Sequence, residues 1–304
     1  MPNAIRIHQT GGPEVLQWES VAVLEPGPGE ARVRHTAVGL NYIDTYHRSG
    51  LYSLPMPSGL GSEAAGVVEE VGPGVTGLKP GDRVAYAGGP IGAYADERVI
   101  PADRLVPVPA AITDQQAAAM MLKGMTAWYL VRRTHPVKRG ETILIQGGAG
   151  GVAGFAIQLA KHIGATVVTT ASARNHDYVR SLGAERIIDY QKEDFTKAVS
   201  GCDVVFDTVG GEVQVRSYEV LKPGGRLVWI APAPAGFQPP RSDVELLRPR
   251  VARDRAHLER MKELYEAGAV WPPAITRYPL AEAAEAHRIS EGRHLQGKLV
   301  LMVR

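Results

Sequence analysis

Residues 141–164 read ETILIQGGAGGVAGFAIQLAKHIG. ETILIQ, 141–146, is an apolar β-type run, and the glycines that follow it at once open the helical pattern FAIQLAKHIG, for which Gly164 is a suitable C-terminal stop. Within the turn, Gly148, Gly150 and Ala153 satisfy G-x-G-x-x-G/A. Glycine permits the tight turn and the close approach of backbone to a pyrophosphate, whose charge then rests on the free amides of a helix N-terminus. A strand before and a helix after the loop turn a weak motif into the expectation of a dinucleotide site.

Working outward, the same rhythm continues toward the C-terminus. ATVVTTA (165–171), ERIIDY, CDVVFDT and GGRLVWIA (224–231) read as further strands, with YVRSLG as a helix between the first two. Strands alternating with helices predict a parallel, doubly wound α/β sheet. The second strand ends in TTASARN, where Ser172, Arg174 and Asn175 stand and no carboxylate occurs before Asp177. An NAD site usually places an acid there, whereas a hydroxyl and a guanidinium suit a 2′-phosphate, so the expected cofactor is NADPH. RDRAHLERMKELYEAG (253–268) predicts an amphipathic helix with Leu258, Met261 and Leu264 or Tyr265 on one face, and the tail adds one helix and a final strand in GKLVLMV.

In the other direction the texture changes. The first hundred residues carry short β-type runs, among them ARVRHTAVGL and DRVAYAG, separated by turn signals such as EPGPGE and KPGD. They predict a β-rich, barrel-like domain, followed by a helix near 112–133 that Thr113 or Asp114 caps. With 34 basic and 32 acidic residues in 304, net charge +2, and no basic stripe, nucleic acid and membrane surfaces are not expected partners. No apolar stretch approaches the roughly 18 residues of a spanning helix, and MPNAIRIHQTGG lacks a leader pattern, so a soluble cytoplasmic protein is expected. Cys202, the single cysteine, reads as a small apolar side chain at the start of a buried strand.

VGLNYIDTYHRSGLY (38–52), GLGSEAAGVVEEVGPGV (59–75), LKGMTAWYL (122–130) and GGAGGVAG together resemble the zinc-free, NADPH-dependent quinone oxidoreductases of the medium-chain dehydrogenase/reductase superfamily, zeta-crystallin among them, over nearly the whole chain. The resemblance implies a GroES-like β-rich catalytic domain (1–120 with 268–304) beside a Rossmann NADP(H)-binding domain (121–267), a cleft for cofactor and acceptor, and a homodimer. Where zinc-using members of that superfamily carry a histidine ligand this chain has Ser62, and Asn41 resembles the occupant of their first cysteine position. No metal is expected. Glu63 is expected to bond nearby backbone or a cationic side chain.

Candidates to polarise an acceptor carbonyl are the Asn41 amide and the phenols of Tyr46 and Tyr52. By resemblance, Asn41, Tyr46 and Thr126 lie near the nicotinamide and Gly150, Gly151 and Val152 at the pyrophosphate. Ser172, Arg174 and Tyr190 belong to the 2′-phosphate, while Thr208 and Arg293 complete the cofactor set. His47 reads as a surface histidine. The segment 232–252 is shorter and richer in proline than the family's, which leaves its sixth strand open. The first half resembles bacterial quinone reductases and the second a branch that reduces conjugated alkenals and enones. The expected activity is NADPH-dependent reduction of ortho-quinones. The alternatives are reduction of an α,β-unsaturated carbonyl and, from another class, a non-catalytic NADPH-binding module.

Overall fold

The structure, a computed structural model, describes residues 1–252, 255–292 and 295–303. The chain divides into two compact units. One comprises Met1–Leu122, Ala252–Glu263 and Pro272–Arg304, and the other Lys123–Val251 with Leu264–Trp271.

The first unit begins with β1 (Asn3–Ile7), β2 (Gln17–Ser20), β3 (Glu30–Gly39), helix α1 (Tyr42–Ser49), β4 (Ser58–Gly59), β5 (Glu63–Val71), β6 (Arg83–Ala87), β7 (Glu97–Pro101) and β8 (Val106–Pro107). β1 pairs antiparallel with both β2 and β4. β3, the longest strand, pairs antiparallel with β5 and β7. Branched and aromatic residues of these strands, including Val33, Val38, Val84, Tyr86 and Ile100, turn inward to one core with Leu60 and Tyr94. Helix α2 (Asp114–Trp128) follows. Thr113, one of the two cap candidates, caps it, its Oγ1 accepting the Gln116 N–H while the Gln116 side chain accepts the Thr113 N–H.

The second unit holds β9 (Thr142–Ile145), α3 (Gly151–Ile163), β10 (Thr166–Ala171), α4 (His176–Ser181), β11 (Arg186–Asp189), α5 (Phe195–Ala198), β12 (Cys202–Asp207), α6 (Glu212–Arg216), β13 (Leu221–Trp229) and β14 (Glu245–Leu247). Its six strands are parallel in the order β11-β10-β9-β12-β13-β14. The strand order reverses direction beside β9, the arrangement of a doubly wound sheet. Gly164, at φ 92°, ends α3 in the left-handed conformation that glycine adopts without strain. β14 supplies the sixth strand that the proline-rich segment left open. Cys202 opens β12 fully buried, and burial pushes its thiol up to about 11.

Helix α7 (Arg255–Glu266) buries Leu258 and Met261, as its periodicity predicted. The chain then adds β15 (Ile275–Pro279), α8 (Ala283–Glu291) and β16 (Lys298–Met302) to the first unit. β16 pairs antiparallel with β3, Val300 opposite Gly39 and Leu301 opposite Val38, and completes the sheet β15-β16-β3-β5-β6-β8. Among the described residues no helix is long and apolar enough to cross a membrane.

Candidate active site

The β16–β3–β5 register sets three polar side chains at one end of adjacent strands. Lys298 opens β16, Glu63 opens β5, and Asn41 follows the end of β3, where the Leu40 N–H donates to the Leu299 carbonyl. Lys298 Nζ donates to Glu63 Oε2 at 2.5 Å and to Asn41 Oδ1 at 2.7 Å. Asn41 Nδ2 donates to Glu63 Oε2 at 2.8 Å and to the Gly39 carbonyl at 3.1 Å, and Glu63 Oε1 accepts the Leu122 N–H at 2.7 Å. The ion pair is wholly buried, both side chains at 0% exposure. Gly39 makes room for it, because a Cβ there would stand 2.7 Å from Glu63 Oε2 and 2.2 Å from the Ala118 carbonyl.

Glu63 thus bonds both backbone and a cation, as its sequence setting predicted. Lys298 was not among the candidates. Both amide hydrogens of Asn41 are engaged, by Glu63 and by the Gly39 carbonyl. Among the described residues no three His, Cys, Asp or Glu side chains gather as a metal site.

Asn41 also begins α1. Its N–H donates to Asp44 Oδ2 and its carbonyl accepts the Asp44 N–H, each at 2.9 Å. Asp44 Oδ2 accepts a second bond from Tyr94 OH at 2.9 Å, while Oδ1 is buried without a partner among the described residues. Behind Tyr94, His287 Nε2 lies 3.2 Å from the hydroxyl and His287 Nδ1 3.2 Å from Arg48 Nη1, with Arg48 paired to Glu291. Arg48 only donates, so His287 Nδ1 accepts and the hydrogen of its neutral ring sits on Nε2.

Tyr46 and Tyr52 meet edge to face at 5.4 Å, Tyr42 covers Tyr46 at 5.2 Å, and the Tyr52 N–H donates to the Tyr46 carbonyl at 3.1 Å. Tyr52 is 38% exposed. His47, expected at the surface, is half-buried against Tyr52, and burial lowers its pKa. The turn after α1 folds Tyr52 back over that helix, which encloses the imidazole.

Burial holds three interior groups of this unit away from their ordinary pKa. The Asp44 carboxyl is pushed up to about 6, His35 down to about 4, and His287, with Arg48 beside it, down to about 3. Between about pH 4 and 6.5 the unfolded chain binds more protons at both histidines than the folded one, so their contribution to stability is lost as pH falls. Asp44 acts oppositely: the folded state holds its proton more tightly, which favours folding at low pH. Asp44→Asn, which keeps an oxygen for Tyr94, is therefore expected to steepen the loss of stability from pH 6.5 to 4. Denaturant titrations at several pH values check this.

In the second unit the expected cofactor residues collect at the carboxyl ends of the parallel strands. Ala171 pairs with Asp189, so Ser172 and Tyr190 leave neighbouring strands side by side. Gly147, at φ 73°, leaves β9 with its N–H on Thr170 Oγ1, and Gly148 donates to the Thr170 carbonyl. Cβ atoms would bring Gly148 within 2.3 Å of Thr169 Oγ1 and Gly151 within 2.3 Å of the Lys123 side chain. Gly150 caps α3, and the first-turn amides of Gly151 and Val152 face out from the helix start without intrahelical partners. Thr208 Oγ1 donates to the Gln146 carbonyl at 2.8 Å, which closes the loop from the β12 side.

Ser172 is buried and accepts from Asn175 Nδ2, Arg174 is exposed beside it, and Tyr190 is half exposed. The next carboxylate along the chain, Asp177, is exposed and paired with Arg180. This cradle fits a dinucleotide with a 2′-phosphate: small loop residues, free amides, a hydroxyl and a guanidinium. Thr126 lies buried on α2, one turn beyond Lys123. Arg293 lies outside the described residues.

A doubly wound sheet with this loop, in one chain with a β-rich unit, defines a nucleotide-dependent dehydrogenase or reductase. Residues 27–110 match the alcohol dehydrogenase GroES-like domain and residues 182–301 the zinc-binding dehydrogenase family. The chain is 41% identical over 324 residues to a quinone oxidoreductase of Pseudomonas aeruginosa, covering 99% of this chain and 100% of that one. It is 38% identical to a 2-haloacrylate reductase of a Burkholderia species, with 99% of each chain covered. The Escherichia coli quinone oxidoreductase, solved in complex with NADPH, superposes with a TM-score of 0.92 at 37% identity over 99% of both chains. The chain belongs to the quinone oxidoreductase family of the medium-chain dehydrogenase/reductase superfamily and is an oxidoreductase.

Proposed function

We propose that the protein reduces quinones of the ortho-quinone type with NADPH and without a metal ion. The observation that carries the cofactor assignment is the carboxyl edge of the parallel sheet, where the glycine cradle, Ser172, Arg174 and Tyr190 stand together in the register of three strands. NADPH supplies the hydride. Gly150, Gly151 and Val152 hold its pyrophosphate on the α3 amides, Ser172, Arg174 and Tyr190 hold the 2′-phosphate, and Thr126, Thr208 and Arg293 complete the cofactor contacts. The phenols of Tyr46 and Tyr52 donate to the acceptor oxygen on which negative charge develops, and Asn41 frames the start of the helix that carries Tyr46. A quinone is already electron-poor at its carbonyls, so such donors suffice where alcohol oxidation would demand stronger stabilisation of an alkoxide. The metal-free part of the reading is supported by the Glu63 carboxylate, whose oxygens are engaged by Lys298, Asn41 and Leu122.

By the same reading, residues 1–120 with 268–304 form the catalytic domain, 121–267 form the cofactor domain, and the protein is a cytoplasmic homodimer, all supported by the family resemblance. A second reading, reduction of an activated carbon–carbon double bond, is favoured by the likeness to the 2-haloacrylate reductase. Initial rates of NADPH oxidation with an ortho-quinone and with a simple enone separate the two. The larger kcat/KM is expected with the quinone; a larger value with the enone transfers the protein to the second reading.

A further inference from the structure

The buried pair of Lys298 and Glu63 does more than neutralise itself. An ammonium group has donors and no acceptor, so the Asn41 amide can turn only its oxygen toward Lys298. A carboxylate has acceptors and no donor, so the amide must turn its nitrogen toward Glu63. The two charges fix the amide in one of its two flip states by chemistry, and the distances of 2.7 Å and 2.8 Å agree with that assignment. The second Nδ2 hydrogen reaches the Gly39 carbonyl, which leaves Asn41 no side-chain donor for any other partner.

Asn41 in turn sets the start of α1: its N–H donates to the Asp44 carboxylate and its carbonyl accepts the Asp44 N–H. α1 carries Tyr46, whose carbonyl accepts the Tyr52 N–H and whose ring packs on Tyr52. A line of direct contacts therefore runs from the last strand of the chain to the two phenols. We propose that Lys298 is a positioning residue for acceptor reduction, acting through the Asn41 amide on the α1 frame of Tyr46 and Tyr52. The inference rests on the reductase reading above.

The test uses the double variant K298M/E63Q. A single change would strand one buried charge, whereas the double change leaves a neutral pair of similar volume, which folds at little cost in stability. The amide that Glu63→Gln introduces retains an oxygen for the Leu122 N–H but now offers hydrogens toward Asn41, and the two charges that fixed the Asn41 amide are gone, which leaves the Gly39 carbonyl as its one remaining contact favouring the original flip state. Three quantities are measured on wild type and variant: melting temperature, NADPH affinity by fluorescence titration, and kcat with an ortho-quinone. Displacement of catalytic donors by fractions of an ångström to an ångström lowers turnover by about 10- to 100-fold. That loss in kcat is expected, with the melting transition and NADPH affinity near those of wild type. A folded double variant with wild-type kcat overturns the inference and leaves a purely structural ion pair. Wild-type protein that fails to oxidise NADPH with either acceptor overturns the reductase reading instead, and the inference falls with it.

Discussion

Lys298→Met alone is expected to lower the stability of the β-rich unit by about 3–5 kcal/mol, the usual consequence of removing one partner from a fully buried ion pair. The Glu63 carboxylate would keep the Asn41 and Leu122 N–H donors but lose the only cation bonded to it among the described residues. It lies at 0% exposure, out of reach of water. Thermal melts monitored by circular dichroism check this. A shift of about 10 °C in the transition corresponds to this range for a unit of this size. A melt within about 2 °C of wild type would mean that the pair contributes no more than an exposed one.

The second large effect is expected at the glycine loop. Gly148→Ala places a Cβ 2.3 Å from Thr169 Oγ1, an atom that cannot retreat because Thr169 is buried and its hydroxyl donates to the Ile145 carbonyl at 2.6 Å. The loop must move instead, and with it the amides proposed to hold the pyrophosphate. Loss of such aligned donors is expected to weaken NADPH binding by about 100-fold, or about 2.7 kcal/mol. Thr169→Ala in the same chain removes the closest clashing atom but leaves the Cβ at 3.2 Å, so the double variant should recover part of the affinity and show coupling between the two sites. Additive losses would mean that the loop responds to something other than this collision.

These two sites differ in how far they could be read from the chain itself. The cofactor edge was legible because its signal is local: strand, glycine turn and helix lie within 141–164, and Ser172 and Tyr190 follow their strands directly. The buried charge cluster was half legible. Glu63 stood out as the one acid among small residues, and with no metal expected beside it a backbone or cationic partner was anticipated. The partner itself did not, since Lys298 lies 235 residues from Glu63 and 257 from Asn41 and reads as an ordinary lysine at the start of a terminal strand. Only the antiparallel register of β16 on β3 and β3 on β5 brings them together. The consequence for Asn41, that its hydrogens are already spent, was equally hidden. β14 was hidden because three residues in a proline-rich stretch carry no periodicity.

The interior line of Arg48, His287, Tyr94 and Asp44 shows the same limit. None of these residues was among the sequence candidates, and α8 must pack on α1 before His287 can meet Arg48. Long-range pairing, not local propensity, decides which polar side chains the fold buries.

Metal-free quinone reduction is tested most directly by the rate of NADPH oxidation with an ortho-quinone by protein freed of metal with a chelator, compared with the same protein after Zn²⁺ is restored. Turnover that is selective for NADPH over NADH and unchanged by chelation is the predicted result, as a Glu63 held by Lys298, Asn41 and Leu122 requires. Activity lost on chelation and regained with Zn²⁺ would contradict it.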